Sequence, residues 1–298
     1  VRIVRYETGH TIGCGVWVDG QVYDTGFPDT LDLIRAGEAG LARARRALDG
    51  PPVAFDRLLA PLANPGKIFG SGVNYRSHGD EEPGYLFPDE IVYDFLKVAS
   101  SIVGPDADIV IPPTDDVIRR QPGGAAKFSE AGFAVDYEVE LGVVIGTTAR
   151  HVRSEDAMDH IFGYTVFNDV GARSVQFHNG QRDLAKNFDT FCPMGPWIVT
   201  RDELPDWQAI RLESHVNGEL RQSALAGDMI AGPSEAIEWL SAIIRLDPGD
   251  CLMTGTPAGC GTFMQPPRFL QPSDVVTCSA SGIGELTNRV VQGTARTR

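Results

Sequence analysis

The sequence predicts an α+β fold that is predominantly β, in a chain of 298 residues. Three observations carry this. Residues 1 to about 24 alternate apolar and polar side chains around Asp19-Gly20, a hairpin signal. Asn217-Gly218 repeats that signal between two strand-like runs, and helical patterning is found at 29–48 and 233–244. The first strands and the Ala-, Arg- and Leu-rich helix from Asp29 through Leu48 read as a small N-terminal α+β module, residues 1–64. Asp49-Gly50-Pro51-Pro52 breaks that helix, and Pro61 through Gly66 leads into the larger unit, residues 65–298. There the clearest helix takes Ser234 as its cap and sets Ile237, Leu240 and Ile244 on one core-facing stripe.

The most informative run is Asp136-Tyr137-Glu138-Val139-Glu140, directly before Leu141-Gly142-Val143-Val144-Ile145. In a strand, side chains alternate faces, so Asp136, Glu138 and Glu140 share one side while Val135, Tyr137, Val139 and Leu141 share the other. Carboxylates stacked so closely repel unless a cation sits between them, and a hard divalent metal is the natural one. The plainer alternative is a solvated strand face.

Tyr164-Thr165-Val166-Phe167 reads as a strand ending at Asn168-Asp169, which supplies a further carboxylate. Arg173 and Gln176, three apart, face the same way on a helical turn. Lys186-Asn187-Phe188-Asp189-Thr190-Phe191 follows. Pro248-Gly249-Asp250 turns into Cys251-Leu252-Met253, which opens onto Thr254-Gly255-Thr256-Pro257-Ala258-Gly259-Cys260-Gly261, where small residues let backbone approach a ligand.

At these residues the chain resembles the fumarylacetoacetate hydrolase family. Asp-Tyr-Glu-x-Glu-Leu, Gly-Tyr-x-x-x-Asn-Asp with Arg and Gln following, Lys-x-Phe-Asp-Thr-Phe-x-Pro-x-Gly-Pro and Thr-Gly-Thr-Pro-x-Gly occur in the family's order, from about Pro65 to Val291. The resemblance implies a catalytic domain built as a mixed β-roll or β-sandwich around one metal site. It implies one magnesium or manganese ion per chain, with calcium a further candidate, held by Glu138, Glu140 and Asp169. Lys186 would place positive charge where an oxyanion develops, and Arg173, Gln176 and Thr256 would line the substrate pocket.

A second constellation is Asn74-Tyr75-Arg76-Ser77-His78-Gly79-Asp80-Glu81-Glu82. In family members that hydrolyse or decarboxylate, a His-x-x-Glu pair follows Asn-Tyr on a mobile lid, Glu orienting His and His activating water. His78 and Glu81 have that spacing, within mutual reach on a helical turn. Ser77 stands where the family commonly has Asp.

The activity implied is hydrolytic carbon–carbon cleavage of a 2,4-dioxo acid, an acylpyruvate or fumarylacetoacetate-like compound, through a metal-stabilised enolate. The same site serves decarboxylation of an oxaloacetate-like acid, tautomerisation of an enol or hydration of a dienol, and fold does not choose among them. From a different class, a non-catalytic dicarboxylate-binding protein would keep the fold but would not need a water activator.

Composition narrows the partners. A formal net charge of −14 argues against nucleic acid and anionic membrane, so a small anionic 2-oxo acid must meet local cations. The five cysteines show no Cys-x-x-Cys pair and read as reduced thiols of a cytoplasmic protein, with Cys192 and Cys260 as packing residues. The N-terminus reads as a strand rather than a signal peptide, and a homodimer is implied by the resemblance. Lys97 is expected in a structural ion pair, Asn74 and Tyr75 as hinge or wall residues, and 120–129 as a loop-like surface insertion.

Overall fold

Asp19-Gly20 and Asn217-Gly218 both turn hairpins in the computed structural model, which describes residues 1–81, 93–113, 132–179 and 182–294. All four residues adopt left-handed φ values, 48° and 84°, then 54° and 79°. That is the backbone a two-residue hairpin loop needs to match strand twist, and Asn, Asp and Gly reach it most cheaply. The segment 120–129 lies outside the described residues.

The N-terminal strands β1 (Arg2–Thr8), β2 (Thr11–Val18) and β3 (Gln21–Phe27) form a meander, with β4 (Arg57–Leu59) beside β1. The helix expected over 29–48 is two helices, Thr30–Arg35 and Gly37–Ala47. Asp29 caps the first by accepting from Leu31 N–H, and Gly37 breaks the run at φ 56°. Next come β5 (Ile68–Ser71), β6 (Tyr93–Lys97), β7 (Ile102–Val103), β8 (Ile109–Ile111), β9 (Val135–Asp136), β10 (Val139–Ile145), β11 (Ile161–Asn168), β12 (Gly171–Ala172) and β13 (Cys192–Thr200). The chain closes with β14 (Arg211–Val216), β15 (Glu219–Leu225), β16 (Cys251–Met253), β17 (Val275–Ala280) and β18 (Gly284–Gln292).

One sheet runs β3-β2-β1-β13-β11-β10-β16-β5-β6, a second runs β15-β14-β17-β18-β8, and β9 pairs with β12. Because β1 pairs with β13, the sheet crosses the boundary expected at residue 64. The strand β10 is buried on both faces, and its alternation decides what each face meets. Val139, Leu141 and Val143 belong to the core shared with Leu212, Val276 and Leu286 of the second sheet. Val144, from the other face, packs with Ile3, Leu33 and Ile34 of the N-terminal segment. Glu138 and Glu140 lie on that second face, as the alternation predicts, so the carboxylates are inside the protein and not on a solvated strand face.

The late helix forms over Pro233–Ile243 with two differences from expectation. Its cap is Gly232, whose N–H donates to the Glu235 carboxylate, rather than Ser234. Ile237 and Leu240 are buried, but Ile244 is exposed, because the chain turns extended there and the helical face ends with the helix.

Candidate active site

Strand register assembles the carboxylates. In the antiparallel β10–β11 pair, Val139 lies opposite Asn168 and Glu140 opposite Phe167. Asp169 N–H then donates to Glu138 C=O at 2.8 Å, closing the end of the ladder. Residues about thirty apart thereby place Glu138, Glu140 and Asp169 together, with a ligating oxygen from each within 4.8 Å of the others, all buried. On the other flank, β16 pairs with β10 and feeds Thr254-Gly255 past Glu140. Gly255 N–H donates to Glu140 Oε2 at 2.7 Å. At φ 90° and with Asn74 Cβ 2.8 Å from where a Cβ would sit, that position accepts glycine.

Among the described residues, two of these oxygens have no hydrogen bond, Glu140 Oε1 and Asp169 Oδ1. Lys97 Nζ lies 2.7 Å from Asp169 Oδ1, the ion pair expected of it. Its three N–H donors, however, go to the carbonyls of Val170, Lys186 and Phe191. A buried carboxylate oxygen without a donor is costly, and a bound cation relieves that cost. An all-carboxylate donor set in which Glu140 Oε1 has no hydrogen-bond partner among the described residues fits a hard divalent metal. Burial, then Asp169 and Glu138, pushes the Glu140 carboxyl well above the usual carboxylate range in the cation-free site.

Asp136, the third carboxylate on this face, is not part of the trio. The strand breaks after it, and its oxygens accept from Gly261 N–H at 2.8 Å, Thr262 N–H at 3.0 Å and Arg173 Nε at 3.0 Å. Its lone pairs are spent anchoring a loop and an arginine.

Lys186 ends the short helix Arg182–Lys186 and is buried. Its Nζ donates to Glu138 Oε2 at 2.7 Å and Asp169 Oδ2 at 2.6 Å. Burial by itself would lower its pKa, but Asp169 and Glu138 outweigh that and hold it above the ordinary lysine value. Burial would likewise raise Glu138, yet Lys186 and Arg173 pull it well below the usual range. Arg173, also buried, reaches Glu138 Oε1 at 2.5 Å and Gln176 Oε1 at 3.0 Å.

His78 sits on the single turn Arg76–Gly79 and its Nδ1 lies 3.0 Å from Glu81 Oε2. An ionised carboxylate only accepts, so this contact suits the tautomer with its proton on Nδ1. Glu81 Oε1 accepts from Gly259 N–H at 2.8 Å, which docks the pair on the Thr254–Gly261 loop. Asn74 fixes the approach to this turn through Ala231 and the carbonyl of Thr254. Cys260 Sγ lies 3.9 Å from His78 Nδ1, but burial pushes its thiol well up, so it packs as a neutral group, as expected.

A cavity of about 480 Å³, counted out to its open mouth, is lined by His78, Glu138, Arg173, Gln176, Lys186 and Arg182, with Phe95 and Phe263 among its apolar walls. Of the expected residues it brings His78, Glu138, Arg173, Gln176 and Lys186 to its walls, while Glu81, Glu140 and Asp169 lie behind that lining and Thr256 is turned to another use. The Thr256 hydroxyl donates to Val139 C=O and accepts from Gln222 Nε2, so it is consumed inside the sheet rather than offered to a ligand. Gln222 and Arg182 were not anticipated. Arg182 precedes Lys186 by four, a same-face helical spacing that marks it in the sequence; Gln222 carries no comparable signal.

Lys97→Met will lower stability by about 3–5 kcal/mol in urea unfolding, the usual cost of stranding one partner of a buried pair. Saturating manganese should restore part of the loss.

The family model described as Fumarylacetoacetate (FAA) hydrolase C-terminal matches residues 67–291. The mitochondrial oxaloacetate tautomerase Fahd2a of Rattus norvegicus is 36% identical over 307 residues, 98% of this chain and 92% of that protein. Among solved structures, the fumarylacetoacetate hydrolase of Exiguobacterium antarcticum is 34% identical with a TM-score of 0.80, covering 98% of this chain and 99% of that one. The maleylpyruvate hydrolase of Sphingobium sp. SYK-6, solved with manganese(II) and pyruvate, is 30% identical with a TM-score of 0.76, covering 99% of this chain and all of that one.

Proposed function

Because the chain belongs to the fumarylacetoacetate hydrolase family, we propose that it is a divalent-metal-dependent enzyme that cleaves a carbon–carbon bond of an acylpyruvate by hydrolysis. The observation that carries this reading is the His78–Glu81 pair, whose imidazole lines the same cavity as Glu138 and Lys186 while Glu81 is docked behind it on Gly259. Glu138, Glu140 and Asp169 would hold magnesium or manganese, calcium being the third candidate. When bound, such a cation polarises the oxo and carboxylate oxygens of a 2-oxo acid as a Lewis acid.

The residues divide the remaining work. His78 takes a proton from water as the oxygen adds to the distal carbonyl, and Glu81 holds the imidazole in the tautomer that can do so. The carbon–carbon bond then breaks with its electron pair moving onto the pyruvate unit. The Lys186 ammonium, fixed by two carboxylates, supplies positive charge near the enolate oxygen. The proton returns from His78 to carbon, leaving pyruvate and a carboxylic acid. Arg173 orients Gln176, whose amide is the neutral donor toward the substrate.

A second reading, keto–enol tautomerisation of an oxaloacetate-like acid, is favoured by the rat relative. It needs a proton moved between carbon and oxygen, without water. Incubating the manganese-loaded protein with acylpyruvates and with oxaloacetate, and following products by NMR, separates the two. Pyruvate plus a carboxylic acid supports hydrolysis; accelerated keto–enol exchange alone supports the tautomerase; the absence of both overturns both readings.

No helix among the described residues is long and apolar enough to cross a membrane. The five cysteines are buried and unpaired, which supports a reducing compartment such as the cytoplasm, whereas the rat relative is named as mitochondrial. We include a homodimer in this reading; light scattering at the mass of a single 32.2 kDa chain would remove it.

A further inference from the structure

We infer that Arg182 is the residue that selects a 2-oxo acid bearing a second carboxylate, by binding that distal group at the cavity mouth. The inference rests on the reading of the site as one for 2-oxo acids.

Three permanent cations line the cavity, Arg173, Lys186 and Arg182, against a single carboxylate, Glu138. The three cations are not equally available. Arg173 is buried, and its Nε, Nη1 and Nη2 are committed to Asp136, Gln176 and Glu138. Lys186 is equally buried, between Glu138 and Asp169. Each is already compensated by two carboxylates.

Arg182 differs in every respect. Its side chain is 31% exposed, and among the described residues its one carboxylate partner is Asp94, reached through Nη1. Burial pushes the Asp94 carboxyl upward against the pull of Arg182. Asp94 is not among the lining residues, whereas Arg182 is. The ion pair therefore anchors one end of the guanidinium while the side chain fronts the cavity. A guanidinium retains further donors in a planar fork that suits a carboxylate.

Two local features hold Arg182 there. Four residues separate it from Lys186 on one short helix, so both project from the same face about one turn, ~6 Å, apart. That is the scale of the span between the two ends of a short diacid. Opposite, a Cβ at Gly72 would collide with the Arg182 guanidinium, and the missing side chain is what leaves room for it.

The test uses the full-length, manganese-loaded protein and two unreactive ligands that differ in the distal group, malate and lactate. Isothermal titration calorimetry should show the wild type preferring malate by about tenfold or more, the worth of a charge-assisted hydrogen bond. Arg182→Gln should shrink that preference to less than about threefold, mainly by weakening malate. Arg182→Lys, a point charge without the fork, should fall between. Equal weakening of both ligands, an unaltered preference in Arg182→Gln, or no malate preference in the wild type each overturns the assignment. If the wild type turns over neither acylpyruvates nor oxaloacetate, the proposed activity fails, and the malate preference still decides Arg182 independently.

Discussion

Glu140→Gln will abolish turnover and, in the metal-stripped protein, raise the thermal midpoint. The two effects share one cause. Glu140 is fully buried beside Glu138 and Asp169, with Oε1 lacking a donor. A carboxylate there is a ligand when a cation is present and a like-charge penalty when it is absent. An amide of the same shape keeps the acceptor for Gly255 N–H and removes the charge. Activity should fall at least about a thousandfold and manganese affinity by about tenfold or more, because one of three charged ligands is lost.

The stability arm has a definite pH sign. Glu140 has a folded-state pKa raised above the ordinary glutamate value of 4.5, so the folded protein binds more protons there than the unfolded chain. Its contribution therefore becomes less favourable as pH rises above 4.5. Glu138 is shifted the other way, and its stabilising contribution is lost only as pH falls below the ordinary carboxylate range. Between about pH 5 and 8 the difference between Glu140→Gln and wild type, both treated with EDTA, should widen in favour of the variant. Calorimetric scans at several pH values check this; a flat difference would mean that Glu140 feels no like charge.

The second large effect is His78→Ala. Removing a positioned base typically costs 10²–10⁴-fold, so acylpyruvate hydrolysis should fall within about that range while manganese affinity is kept. Tautomerisation of oxaloacetate, which needs no activated water, should survive the change. A variant that loses both activities equally would place His78 in the shared proton transfer, and one that loses neither would remove the His78–Glu81 pair from the mechanism. Glu81→Gln should lie between, since the amide keeps the docking bond to Gly259 but no longer fixes the imidazole tautomer.

Much of this site is legible before any fold is known, and the reasons are local. Alternation puts Glu138 and Glu140 on one face because a strand's period is two residues. The His78–Glu81 and Arg173–Gln176 contacts at 3.0 Å follow from a three-residue helical spacing. The two hairpins follow from the left-handed preference of Asn, Asp and Gly. Errors in the same reading are also local: the cap at Gly232 and the exposed Ile244 depend on where a helix starts and stops, which fluctuates by a residue or two in any pattern.

The sequence by itself determined which residue types could grip a hard cation and which neighbours they would face, since both depend on spacings of two to four residues. Only the tertiary structure decided which lone pairs and charges remain free. Asp136 gives its oxygens to Gly261 and Thr262, 125 and 126 residues away, and Thr256 gives its hydroxyl to Val139, 117 away. Lys97 is drawn to carbonyls 73 to 94 residues distant, which leaves Asp169 Oδ1 without a hydrogen bond. Hydrogen-bond capacity is finite for each group, and its allocation depends on partners that meet only when the sheets close.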